Sequence, residues 1–160
     1  MPPSTIRPAR PDDVPAVVDL IRGLADFENL PGPDDGAAAR MAADLARGDR
    51  FRLLVADSPE GLRGYALYFF TYSTFRARPA VYLEDLFVAP AARGQGLGEA
   101  LLRAVARDGV AAGCCRFEWS VLDWNVDAQR FYRRLGARIL AEWHICRVDG
   151  NELAALGGPG

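Results

Sequence analysis

The stretch Val81-Tyr82-Leu83-Glu84-Asp85-Leu86-Phe87-Val88, closely followed by Arg93-Gly94-Gln95-Gly96-Leu97-Gly98 and then by an amphipathic run, reads as strand, glycine loop and helix. Glycines at alternate positions let the backbone turn sharply and aim several N–H groups at one anion, and the helix that follows turns its positive end toward the same point. The loop therefore reads as a phosphate cradle. It is not a nucleotide P-loop, which needs a lysine after its last glycine, because the chain contains no lysine. Nor is it a dinucleotide fingerprint, whose third glycine would fall on Glu99.

Outward from this point, 160 residues that are 50% hydrophobic suffice for one globular domain and are too few for two of ordinary size. A net charge of −2 lacks the basic excess of a nucleic-acid surface. Met1-Pro2-Pro3-Ser4-Thr5 has neither the charged nor the apolar region of a secretory leader, and no segment is apolar for long enough to span a bilayer. A cytoplasmic protein without nucleic-acid or membrane partners is expected. Cys114, Cys115 and Cys146 show no Cys-x-x-Cys spacing and His144 is the single histidine, so neither a disulfide framework nor a metal site is expected.

Val14, Val17, Val18, Ile21 and Leu24 share one helical stripe behind Asp12-Asp13, with an aspartate available as N-cap. The turn-rich Asn29 to Gly36 ends that helix, and Ala37 to Ala46 reads as a second one. Phe51–Ala56, Gly64–Tyr72 and Ala80–Val88 read as the strands of an antiparallel meander. A helix from Leu97 to Gly113, a strand from Arg116 to Leu122, a helix from Val126 to Leu135 with Gly136 at its end, and a closing strand from Ile139 to Val148 complete the order.

The glycine loop matches Arg/Gln-x-x-Gly-x-Gly/Ala, the pyrophosphate motif of the GCN5-related N-acetyltransferases. With Tyr72-Ser73-Thr74, Tyr82-Leu83-Glu84-Asp85, Val121-Leu122-Asp123-Trp124-Asn125 and Phe131-Tyr132, the chain resembles their diamine (spermidine/spermine) acetyltransferase group, and within it the thialysine N-epsilon-acetyltransferase branch. The resemblance implies an α/β (α+β) acyltransferase fold with a mixed, mostly antiparallel sheet flanked by helices. It also implies acetyl-CoA as cosubstrate, a primary amine on a small molecule as acceptor, and a homodimer.

Main-chain groups of Leu86, Phe87 and Val88 would pair with the pantetheine arm as with an added strand, while Arg93, Gly94, Gln95, Gly96, Leu97, Gly98 and Glu99 hold the pyrophosphate. Asn125, Val126, Asp127 and Ala128 match the family's further cofactor contacts. An alkyl ammonium with a pKa of about 10.4 must lose a proton before it attacks a thioester. Glu84 and Asp85 are the candidate bases; strand alternation lets only one point at substrate, and the resemblance favours Glu84, leaving Asp85 to attract a second cationic group or to satisfy a buried loop. Tyr132 matches the family's general acid for the departing thiolate.

Phe27-Glu28 and Glu118-Trp119-Ser120 match substrate-contacting stretches, where carboxylates suit an ammonium and an aromatic wall suits a methylene chain. Asn29-Leu30-Pro31-Gly32-Pro33 departs from the acidic loop of the polyamine enzymes, which shifts the expectation toward a shorter acceptor. Glu142-Trp143-His144 falls near a further substrate stretch of the family, with surface or core roles equally open. Two other readings compete: acetylation of a protein or peptide amine, and a non-catalytic acetyl-CoA-binding sensor.

Overall fold

The computed structural model describes residues 3–159. The chain divides into two compact units, one running through Ser120 and the other from Val121 onward.

The first unit is built on a five-stranded sheet whose order follows the chain: β1 (Thr5–Pro8), β2 (Arg52–Ser58), β3 (Gly61–Ser73), β4 (Arg78–Val88) and β5 (Phe117–Trp119). The first four strands pair antiparallel and β5 runs parallel to β4. The expected meander is therefore present. The four-residue β1, which ends on a proline and carries no alternating signal of its own, is an addition to it. Arg7 holds β1 in place, reaching Asp57 on β2 at 2.8 Å and Asp13 at 2.7 Å.

Helix α1 (Val14–Glu28) buries Val14, Val17 and Val18, as its periodicity requires. Asp13 occupies the N-cap position but makes no cap bond to α1; its carboxylate accepts instead from the Arg10 amide at 2.7 Å and from the Arg7 guanidinium. Asn29, in the left-handed region at φ 55°, ends the helix. Helix α2 (Ala37–Arg47) follows. Against one face of the sheet, Val17 joins Leu53, Val55, Tyr65, Leu67 and Phe87 in a core that Leu24, Met41 and Leu45 help to cover. Helix α3 (Leu97–Ala111) buries Leu101, Leu102 and Val105, and at Gly109 it comes so near β4 that a Cβ would stand 3.1 Å from Val81.

The second unit holds α4 (Val126–Arg134) and α5 (Gly150–Gly157). Helix α4 lies where the sequence places it, with the Gly136 amide closing its end on the Arg133 carbonyl at 3.0 Å. Two expectations are corrected. The strand read over Arg116 to Leu122 shortens to Phe117–Trp119, the three residues that find partners on β4. No strand forms over Ile139 to Val148: the five strands of the sheet draw on none of these residues, and Ile139, Leu140, Trp143, Ile145 and Val148 are exposed. Their β-branched and aromatic character creates a preference that only a ladder partner turns into a strand. Helix α5, which follows Asp149, is absent from the sequence reading.

Strands β3 and β4 approach closely at Gly64, where a Cβ would lie 2.7 Å from the Phe87 carbonyl oxygen. Gly64→Ala is expected to push the two strands apart and to destabilise the protein by about 1–3 kcal/mol, the cost of forcing one group into a packed site. Urea unfolding measures it, and an unchanged midpoint would contradict the packing described.

Candidate active site

The register between β3 and β4 breaks once. Leu67 pairs with Asp85 and Tyr68 with Leu83, so Glu84 is an extra residue, a β-bulge. This changes the side-chain alternation expected for Glu84 and Asp85. Tyr82, N-terminal to the bulge, stacks on Phe69 at 5.4 Å on the α1 face, and two residues further along a regular strand Glu84 would share that face while Asp85 would turn away. The bulge resets the count, and Asp85 stands opposite Leu67 on the same face as Tyr65 and Phe87.

There the Tyr65 hydroxyl donates to Asp85 Oδ2 at 3.1 Å. Burial pushes the Asp85 carboxyl up to about 6; the Tyr65 hydrogen bond opposes the rise, and the charges of Glu84 and Glu28 add to it. Glu28, at the last turn of α1, is partly buried and shifted upward by desolvation. Glu84 is exposed. Three carboxylates from two elements thus act on one locality, with the buried Asp85 bearing the charges of the other two.

The bulge also opens an edge. Pairing of β4 with β5 stops at Leu83 and Trp119. Beyond it the Ala89 amide donates to the Arg63 carbonyl at 2.8 Å, which sets the antiparallel alternation: Phe87 and Asp85 face β3 with their main-chain groups, whereas Val88 and Leu86 direct theirs away from it. The Val88 carbonyl accepts from Arg93 Nε at 3.0 Å, and the Arg93 guanidinium lies 5.6 Å from the ring centres of both Phe27 and Phe87. Arg93 therefore ties the end of α1 to β4 through its side chain.

In the glycine loop, Gly94 and Gly96 both have φ of 76°, and a Cβ at either would meet nothing within 4 Å. The requirement at these two positions is conformational and not spatial. Gly98 is already in the first turn of α3. The amides of Leu97, Gly98 and Glu99, at the start of α3, have no intrahelical acceptor, which makes them a set of donors suited to an anion. The Glu99 carboxylate pairs with Arg103 at 2.7 Å.

On β5, Glu118 pairs with Arg116, the Trp119 and Phe117 rings meet edge to face at 4.8 Å, and Ser120 Oγ is 3.0 Å from the Tyr82 hydroxyl. In the second unit, Asn125 caps α4 by accepting the Ala128 amide at 3.2 Å, and Gln129 Nε2 donates to the Leu122 and Asp123 carbonyls. Tyr132, partly buried on α4, has its ring 5.3 Å from that of Phe131. The structure thus brings Phe27, Glu28, Glu84, Asp85, Phe87, Val88 and Arg93 into one region. It adds Tyr65, which a sequence reading passes over as one more aromatic in a buried strand. A separate cavity of about 550 Å³, lined by residues including Arg7, Arg52 and Asp108, holds none of the motif residues. Its Asp108 is already bonded by Tyr68 at 2.6 Å and by Arg52 at 2.7 Å.

Comparison with known proteins agrees with this geometry. The profile of the Acetyltransferase (GNAT) family matches residues 19–137. The thialysine N-epsilon-acetyltransferase of Sus scrofa is 38% identical, the match covering 96% of each chain. An L-ornithine N5-acetyltransferase of Arabidopsis thaliana is 43% identical over 58% of this chain and 41% of its own. Among solved structures, an integron cassette protein from V. cholerae superposes with a TM-score of 0.77 at 22% identity, covering 98% of each chain, a likeness of fold.

Gly96→Val places a β-branched residue in the left-handed region, which costs about 1–2 kcal/mol in backbone conformation alone. The loop should relax out of its donor arrangement, and affinity for acetyl-CoA should fall about tenfold or more in a calorimetric titration. Unchanged affinity would remove the loop from the binding site.

Proposed function

The chain belongs to the Acetyltransferase (GNAT) family and is an acetyl-transferring enzyme, and we propose that its acceptor is the primary amine of a small lysine-like or diamine molecule, of the thialysine or ornithine type. The observation that carries this reading is the carboxylate group of Glu28, Glu84 and Asp85 beside an open strand edge, with one member raised to about 6. Such a site attracts a cationic amine and offers it a proton acceptor.

Acetyl-CoA, when bound, supplies an acyl group activated as a thioester. Leu86 through the main-chain groups it directs away from β3, and Val88 through its amide, would hold its arm, and the amides from Gly94 to Glu99 would hold its phosphates. Asn125, Val126, Asp127 and Ala128 add contacts from the start of α4. Glu28 and Glu84 hold the positive charge of the acceptor, with Phe27, Trp119 and Ser120 along its chain and Glu118 as a further anionic contact.

Asp85 takes the proton directly or through water. A carboxyl near 6 lies about two units closer to an alkyl ammonium than an ordinary one, which narrows the proton-transfer gap by roughly a hundredfold. Tyr132, through its phenol hydroxyl, gives a proton to the leaving sulfur. The sequence reading favoured Glu84 as base; the exposure of Glu84 and the raised carboxyl of Asp85 support dividing the work, with Glu84 binding and Asp85 accepting. Both units work as one acetyltransferase domain, in the cytoplasm, without a metal and without nucleic-acid or membrane partners. A homodimer is favoured by the exposed apolar stretch from Ile139 to Val148, which a second copy would cover.

The test is CoA release from acetyl-CoA with thialysine, lysine, ornithine, putrescine, spermidine, spermine and a lysine-containing peptide, for the wild type and for Tyr132→Phe. Turnover with thialysine, lysine or ornithine above that with spermine and peptide is expected, reduced about 10²-fold or more in Tyr132→Phe at unchanged acetyl-CoA affinity. Preference for the peptide would assign a protein substrate, and acetyl-CoA binding without any turnover would assign a sensor.

A further inference from the structure

Tyr65 is fully buried in the middle of β3, opposite Phe87, with its ring in the core beside Val17, Leu53, Val55 and Leu67. A phenylalanine would fill that volume without taking a hydroxyl out of water, a transfer that is unfavourable unless the group is hydrogen-bonded. The hydroxyl therefore has a task, and its recorded partner is Asp85 Oδ2 at 3.1 Å. The other oxygen, Oδ1, makes no hydrogen bond among the described residues, yet no buried side-chain polar atom there lacks one. Oδ1 must reach the surface. The carboxylate is thus divided, with one oxygen anchored inward by Tyr65 and the other presented outward.

Within the reading that Asp85 accepts the amine's proton, we propose that Tyr65 is a positioning residue for this reaction, whose buried hydroxyl anchors Asp85 Oδ2 and so fixes Oδ1 as the atom that meets the substrate ammonium. The phenol suits the role. Burial and the carboxylates of Asp85, Glu28 and Glu84 all raise its pKa, so it remains a donor at any pH at which the enzyme works. Among the described residues no arginine forms an ion pair with Asp85. Glu28 faces it from α1, Glu84 adjoins it on β4, β2 contributes Leu53 and Val55 and α2 contributes Met41 and Leu45 to the core beneath, and Arg93 is engaged with the Val88 carbonyl and the rings of Phe27 and Phe87. Tyr65 is then the group that stabilises the ionised form of Asp85 against burial and two like charges.

The sign of the pH effect follows. Activity that needs ionised Asp85 falls as pH drops through its pKa, so kcat/KM should show an acid limb near pH 6. Removing the Tyr65 donor leaves the carboxylate less stabilised, its pKa rises further, and the limb moves to higher pH. Loss of one hydrogen bond predicts a shift of about half to one pH unit.

The experiment compares Tyr65→Phe and Asp85→Asn with the wild type by kcat/KM from pH 5 to 8.5 with thialysine, together with a carbon-13 NMR titration of the Asp85 carboxyl, which reads the pKa even where turnover is low. The expected result is an upward shift of limb and carboxyl titration in Tyr65→Phe and loss of the limb in Asp85→Asn. A packing role alone would lower the rate of Tyr65→Phe at every pH and leave both midpoints where they are, which overturns the proposal while the base assignment stands. A wild-type rate and limb in Asp85→Asn would overturn the base assignment itself, and the positioning role with it.

Discussion

One extra residue in β4 governs the arrangement of the first unit. Without the bulge at Glu84, Asp85 would fall on the α3 face of the sheet, where Leu83 packs, and away from Tyr65. With it, Asp85 comes beneath the end of α1 next to Tyr65, and β4 parts from β5 beyond Leu83. A bulge bends and twists the strand that carries it. The same local irregularity thus aims a carboxylate and leaves the main-chain groups of Leu86 and Val88 without a neighbouring strand.

The charges follow from that geometry. Most acidic side chains in the first unit sit against arginine: Asp13 and Asp57 with Arg7, Asp108 with Arg52, Glu99 with Arg103, Glu118 with Arg116. Asp85 has a phenol instead, and Glu28 and Glu84 have no arginine partner among the recorded ion pairs. In a chain with 19 arginines, unneutralised carboxylates in one place form a field suited to a cation. The upward shift of Asp85 is the cost of that arrangement in the absence of substrate, and it also makes this carboxylate a better proton acceptor than an exposed one.

Much of this was legible in the sequence, for identifiable reasons. Residues 81–98 carry strand, glycine loop and helix in contiguous order, so local pattern sufficed for β4, the left-handed glycines at 94 and 96, and the start of α3. The stripe from Val14 to Leu24 gave α1 in the same way. Pairing was not legible. The bulge exists only in the register between β3 and β4, so alternation along one strand could not show which of Glu84 and Asp85 stands opposite Leu67. Tyr65 looks like any buried aromatic until its hydroxyl is placed beside a carboxylate twenty positions away. The segment from Ile139 to Val148 has the composition of a strand, and composition does not supply the partner that a strand requires.

The most direct test of the open edge is amide hydrogen exchange with and without acetyl-CoA, before any amine is added. Slowed exchange is expected at Leu86 and Val88, whose amides point away from β3, together with the amides from Gly94 to Gly98, while Phe87, already paired with Tyr65, changes little. Protection of the loop with no change at Leu86 and Val88 would contradict the strand-edge mode of binding, and with it the function assigned to the bulge.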